Sequence, residues 1–540
     1  MVGEESAKRS RWKHNDCTYK IVKTKIMKKI LNKFLVLFGI LALVSCLDDK
    51  GNYEYDDVSA NKISIRLSSS TSSAYLGEAI TFSPSLVIAN PERADTNVFK
   101  WEYYFNGYGL VCTTRYMNHV FEDAKVGTVE GILRALDTTT GQSYTYNLSF
   151  KYLNPYNQGW LLLLKDGNKS KLNLVKKLND EWRMDNDLTR LLHNVDLGTN
   201  PQKLVYNYTT YRNEVRIFQD QDVILEGDNY EQVGTFEEEF FGNKYPEGFE
   251  PSYVTTTGGK VSAILGTNGD VYTKIFYDKT TYPSERWMER VLQDNGRKLN
   301  VQHLISGIPL SSSVYNLLVY DRDSSSFYLI GGNGFNANTG SLFRLDPPEG
   351  WSADSSFAPS PRDLSEYDVL YCALRYPSST NMNLFTILRK KTSNEYFFYG
   401  FEYRSNSYNT EVSNMYYKKV PDGVAGMLGD GAMYRVTKGT RVSDPIYLFI
   451  VPSSERKSLY YCNALLPSPE LILYENFQED ITALNMNYNT DTELGVGLAN
   501  NNFYVLNVTR ELLTGSSNED KIICEINVGA TIVDCCWKQN

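Results

Sequence analysis

The sequence predicts an all-β protein, a β-sandwich followed by a β-propeller of seven blades, on three observations. Tyr, Phe and Trp number 40, 24 and 7 against only 4 His, and aromatic rings suit a pleated, half-buried surface. Short apolar runs that meet Asn-Gly or Asp-Gly recur through the C-terminal two-thirds, and those dipeptides accept the positive φ of a tight hairpin. At 540 residues the chain is several times longer than one typical domain, so at least two are expected. Hydrophobic residues at 42% and charged residues at 22% are ordinary globular usage and exclude a largely disordered chain. The formal net charge of −9 excludes a basic nucleic-acid footprint.

The first element is a processing signal. Residues 34–44 form an uncharged apolar run of eleven residues, too short to span a bilayer, which takes about 20. The run follows Met27, Lys28, Lys29 and Lys33, the positive region of a secretory signal peptide. It ends in Leu43, Val44, Ser45 and Cys46, and here the chain resembles a bacterial lipoprotein. That resemblance implies cleavage before Cys46 and diacylglycerol attachment to its sulfur. More than one acyl chain on one residue would anchor stably, since a single chain binds a membrane only marginally. Residues 1–26 are charged and aperiodic and have no role ahead of such a signal. Met27 is therefore the expected start, with 1–26 a misannotated upstream extension and 27–45 the signal peptide.

Beyond residue 45 the chain carries 45 basic and 61 acidic residues, net −16, which removes any long-range attraction to nucleic acid or an anionic membrane. Residues 46–60 are an acidic tether, and Asp48 and Asp49 resemble the export signal of Bacteroidota surface lipoproteins. The implied location is the outer membrane, lipid-anchored and exposed at the cell surface. Six later cysteines, Cys112, Cys372, Cys462, Cys524, Cys535 and Cys536, are too sparse for a disulfide framework and read as buried small hydrophobes.

Residues 61–154 hold short strands separated by turns. Residues 63–67 alternate apolar and polar, 75–82 turn into a second strand, and 98–105 run to Asn106-Gly107 with Trp101 as a core anchor. Residues 127–136 and 142–152 are the last strands. This density of strands predicts an immunoglobulin-like sandwich. The Gly77-Glu78 step before Ile80 and the Trp101 strand make it resemble a PKD-type domain, with Asn106-Gly107 replacing that family's usual Asp-Gly. Taken with Cys46 and the tether, the chain resembles the PKD-like family lipoproteins of Bacteroidota. That resemblance implies a place beside a TonB-dependent uptake system.

Residues 159–540 repeat a hairpin theme. Its pairs are 160–164 with 171–175, 203–208 with 214–218, 261–265 with 271–277, and 314–320 with 327–330. Three more follow: 383–388 with 395–399, 446–451 with 459–462, and 494–498 with 503–506. Seven pairs give about 54 residues per unit, near the roughly 40–50 of known propeller blades. Residues 283–292 have a helical pattern and read as an inserted loop.

No pattern here specifies chemistry. Glu237, Glu238 and Glu239 read as a solvated charge run, because consecutive side chains diverge and no His lies near. Asp321 and Asp323 begin a calcium-like loop, but Ser326 and Gly332 occupy the positions that need Gly and Glu, so a hairpin turn is expected. Gly495 and Gly497 lack the third glycine of a dinucleotide site. His119, His193 and His303 are scattered, and neither a metalloprotease helix motif nor a nucleophile elbow occurs. No catalytic residue, metal or cofactor is assigned. Tyr416, Tyr417 and Trp351 read as lying in connections, with core packing weighed above ligand stacking. The expected function is non-covalent capture of a glycan or peptide, with no nucleic acid. The alternatives are a propeller-type polysaccharide hydrolase or lyase, which needs paired carboxylates, and a structural partner of an outer-membrane transporter.

Overall fold

The computed structural model describes residues 62–89, 98–178, 180–208, 213–256, 261–275, 286–306, 317–330, 342–352, 358–375, 381–405, 410–439 and 443–539. The chain divides into two units after Lys151. The signal peptide, Leu43, Val44, Ser45, Cys46, Asp48, Asp49 and the rest of the tether lie outside the described residues.

The first unit is a β-sandwich. One sheet orders Ile63–Ser70, Ile80–Ile88 and Met117–His119; the other orders Ser73–Tyr75, Ser143–Leu153, Gly127–Asp137, Phe99–Phe105 and Gly109–Cys112. In Gly127–Asp137 the odd-numbered positions Val129, Leu133 and Ala135 are buried while Glu130 and Ile132 face out, the period-two signature of a strand with one covered face. Phe82 of the smaller sheet meets Phe105 and Phe150 of the larger at 6.2 and 6.3 Å, which joins the two inner faces. Trp101 is buried as expected, with the Arg115 guanidinium 5.8 Å from its ring. Gly131 is required by packing, since a Cβ there would stand 2.4 Å from the Phe105 ring and 2.5 Å from Tyr104 O.

The second unit is a β-propeller. Sheets two to seven follow one another as antiparallel meanders that begin at Lys203–Tyr208, Pro251–Thr256, Val301–Ser306, Tyr367–Arg375, Met433–Val436 and Ile481–Met486. The first sheet is assembled from both ends of the unit: Glu181–Asp185, Lys169–Leu178 and Gly159–Asp166 are completed by Thr531–Lys538. In that closure Trp537 lies opposite Trp160 and Cys535 opposite Leu162. The two tryptophan rings meet edge to face at 5.5 Å. The inner strand of each sheet neighbours the next in a cycle that returns from Ile481–Met486 through Thr531–Lys538 to Lys203–Tyr208. The ring is thus closed by strand pairing at the chain's end.

The middle strands explain the hairpin pattern. Trp160 to Leu164, Leu317–Asp321, Ser326–Ile330 and Tyr447–Val451 are buried at every position. A sheet packed between two neighbours has both faces covered, so alternation gives way to continuous apolar runs. Gly167 and Gly269 sit at φ 62° and 82°, the values their turns demand. Gly495 lies against Trp160, where a Cβ would come within 2.6 Å of the indole.

One expectation holds with a qualification and two are corrected. The described part of the 283–292 segment, Arg286 to Leu292, is an irregular connection, as an inserted loop should be, but its helical periodicity forms no helix, and Trp287 is fully buried and packs near Phe240 at 6.1 Å. Tyr416 and Tyr417 lie within the strand Thr410–Lys419 rather than a connection. Tyr417 stacks on Phe397 at 4.5 Å, and Tyr416 lies over Gly400, where a Cβ would stand 2.4 Å from its ring. The second correction is the acidic run. Glu237–Glu239 forms a 3-10 turn that turns Glu239 inward to complete exclusion from solvent. There Glu239 pairs with Arg216 Nη1 at 2.8 Å and with Lys274, while Arg216 also holds Glu214 at 2.7 Å. Burial alone would push Glu239 up, but Arg216 and Lys274 beside it hold its carboxyl well below the usual range.

Candidate functional site

Inner strands from the second unit's seven sheets of three or more described strands line a cavity of about 600 Å³. That volume falls within the range of small-molecule sites. Because inner strands pair on one edge only and face the ring's centre, their side chains need not be apolar, and this is where the sheets depart from the continuous hydrophobic pattern. The second sheet contributes Lys203, Tyr206 and Asn207; the third, Ser252 and Tyr253; the fourth, Gln302 and His303. The fifth contributes Tyr371 and Cys372, the sixth Arg435, the seventh Asn485 and Tyr488, and the closing strand Asp534 and Trp537.

Two cations and one carboxylate dominate the electrostatics. Lys203 Nζ donates to Ser252 O at 3.4 Å and sits 4.6 Å above the Tyr253 ring. Burial pushes its pKa down; Asp534 opposes that and Arg435 adds to it. Arg435 donates from Nε to Asn485 Oδ1 at 3.2 Å and from Nη1 to Tyr434 O at 2.7 Å. Asn485 in turn donates to Cys535 O at 2.8 Å, which fixes the amide that orients Arg435. Asp534 accepts the Leu204 N–H at 3.0 Å and the Cys535 N–H at 2.9 Å, and burial pushes its carboxyl up.

The remaining polar groups are engaged with the wall. His303 Nε2 and Gln302 Nε2 both meet Val369 O, at 2.9 and 3.0 Å. Burial lowers the His303 pKa, the Val369 carbonyl opposes it, and Arg322 adds to the lowering. Burial pushes Cys372 up to about 12, and its contact is Thr386 Oγ1 at 3.7 Å. Tyr206 donates to Gln539 O at 3.0 Å. The phenol of Tyr488 is pushed up to about 12 by burial, with Arg435 opposing. The cavity can therefore offer aromatic faces, amides and cationic donors. Among the described residues its single lining carboxylate, Asp534, has no acidic partner in the wall.

Of the residues considered from sequence, the structure brings only His303, Cys372, Cys535 and Cys536 to this wall or directly behind it. All six cysteines of the described residues are free thiols. Trp351 is held in its turn by a 2.9 Å bond to Ala358 O. Asp321 accepts the Asn300 and Ser324 N–H groups at 2.7 and 3.0 Å within the turn before Ser326–Ile330. No group of three or more His, Cys, Asp or Glu is placed to hold a metal among the described residues. Sequence reasoning missed Lys203, Arg435 and Asp534. The available signal was a charged residue on the short strand flanking an apolar hairpin.

A model described as the PKD-like family matches residues 46–221. None of the curated proteins matches the chain. Among solved structures, apo AztD from Citrobacter koseri is similar at 9% identity and a TM-score of 0.36, over 82% of this chain and 99% of that one. Raptor from Chaetomium thermophilum is similar at 11% identity and a TM-score of 0.33, over 61% of this chain but only 24% of Raptor. Hsv2 from Kluyveromyces lactis is similar at 8% identity and a TM-score of 0.32, over 61% of this chain and 82% of that one.

Proposed function

We propose that the protein is an outer-membrane lipoprotein, anchored through Cys46 and displayed at the cell surface, whose propeller channel captures a small polar nutrient beside a TonB-dependent uptake system. The observation that carries the capture reading is the cavity of about 600 Å³ into which inner strands from seven sheets project amides, phenols and two cations. Capture is an equilibrium event and needs no activated nucleophile. Cys372 suits that reading, since burial holds its thiol up at about 12 and its contact is a hydroxyl, not a base. Glycoside hydrolysis calls for two carboxylates, and among the described residues Asp534 is the one carboxylate lining the channel. A tether at Cys46 would confine the protein near an importer and raise local ligand concentration.

Calorimetry of the purified full chain against a panel of glycans and peptides tests capture, with mass spectrometry of the same mixtures reading turnover. Saturable heat with intact ligand is expected, and new product masses would move the protein to the hydrolases. Protease shaving of intact cells tests display: peptides from beyond Cys46 should be released, and complete protection would refute it. Cys46→Ala should leave the fold intact and free the chain from the membrane. Co-purification with a transporter from solubilised membranes, without heat from any ligand, would favour a purely structural partner.

A further inference from the structure

The channel carries an unbalanced charge. Lys203 and Arg435 face it from the second and sixth sheets, and Asp534 faces it from the closing strand. Neither cation forms a salt bridge with any described carboxylate. Lys203 bonds a backbone carbonyl, and Arg435 bonds an amide oxygen and a backbone carbonyl. Those two bonds use Nε and Nη1 and leave Nη2 without a protein acceptor among the described residues. Asp534 accepts two backbone N–H groups and forms no salt bridge with either cation among the described residues, although both cations oppose the burial that pushes its carboxyl up. The formal sum is one excess positive charge, inside a chain whose net charge is −9.

That arrangement selects a ligand chemistry. A planar guanidinium with a free edge matches a carboxylate or phosphate oxygen. One excess charge balances a monoanion, and Asp534 stands against the second charge of a phosphate monoester. Half-buried rings of Tyr206, Tyr253 and Tyr488, with the amides of Gln302 and Asn485, suit a hydroxylated ring better than an alkyl chain. Resting on the capture reading, we infer that the channel binds a hexuronic acid, or a short oligosaccharide ending in one, with its carboxylate on Arg435 and Lys203.

The test is calorimetry of the full chain with D-glucuronate and D-galacturonate beside D-glucose and D-galactose, each pair differing at C6 alone. Uronates should bind at least about tenfold more tightly than their neutral partners, since a charge-assisted hydrogen bond is worth that or more. Added salt should weaken them. Uronate binding should also take up protons at alkaline pH, because an anion beside Lys203 counters the burial that lowers its pKa. Arg435→Met should lose about tenfold to a hundredfold. Asp534→Asn, which keeps an acceptor for the Leu204 N–H, should tighten uronate binding, and this opposite sign survives even if the Arg435 variant fails to fold. Equal affinity for glucuronate and glucose would overturn the inference and leave capture standing. No uronate binding would also overturn it. In that case heat from a neutral glycan or peptide would keep capture, and silence across the whole panel would end both.

Discussion

Replacing Glu239 with Gln perturbs a cluster of four fully buried charges. Arg216 and Lys274 face Glu214 and Glu239, and all four side chains are at most 1% exposed. The rings of Phe236 and Trp287 cover the cations, at 5.4 Å from Arg216 and 4.6 Å from Lys274. The amide keeps the volume and one acceptor oxygen but removes one of the two carboxylates, Glu214 and Glu239, that face the two cations among the described residues. Removing one partner from a buried ion pair costs about 3–5 kcal/mol. The second unit spans roughly 390 residues, for which the unfolding entropy is about 0.8 kcal/mol/K. The expected drop in Tm is therefore about 4–6 °C at pH 7, read by scanning calorimetry.

The pH dependence sharpens that test. Glu239 titrates below its ordinary 4.5 in the fold, so its stabilisation is complete above that pH and is lost as pH falls towards the folded value. The wild-type and variant curves should therefore converge in acid. Lys274 is pushed down to about 8 by burial, against the pull of Glu239. Without Glu239 it should release its proton at lower pH, so the variant's deficit should also shrink on the alkaline side. A Tm change under about 1 °C at pH 7, or a deficit unchanged at pH 3, would refute the reasoning.

Three further outcomes are expected. Trp537→Ala should cost about 2–4 kcal/mol through loss of the edge-to-face contact with Trp160, and hydrogen exchange should quicken in Gly159–Asp166 and Thr531–Lys538 before other strands. Gly495→Val should destabilise by at least about 1–3 kcal/mol, because its Cβ would meet the Trp160 indole at 2.6 Å; chemical denaturation reads it, and a neutral result would contradict the packing. Cys372, with its thiol at about 12, and Cys536, pushed well above the ordinary value by burial, should resist a thiol reagent at pH 8 in the fold and react promptly in denaturant.

The fold was more legible than the site, for a reason visible in particular strands. Leu317–Asp321 and Tyr447–Val451 are covered on both faces, so their sequences must be apolar throughout and stand out against any background. Asp166-Gly167 and Asn268-Gly269 mark their turns because few other residues accept the backbone those turns need. Inner strands escape that demand. Lys203–Tyr208 and Met433–Val436 each mix a charge with aromatic and apolar residues, because one side meets a sheet and the other meets the channel. The closing strand Thr531–Lys538 was hidden for another reason: its partner Gly159–Asp166 lies more than 360 residues earlier, and no local pattern encodes that pairing. Glu239 was misread because a charge run looks solvated unless its partners are known, and Arg216 and Lys274 belong to two other strands. Lys203, Arg435 and Asp534 likewise lie on three sheets, so the charge imbalance of the channel exists only after ring closure. Propeller chemistry of this kind is written one residue per blade, and it becomes readable only when the last strand has paired with the first sheet.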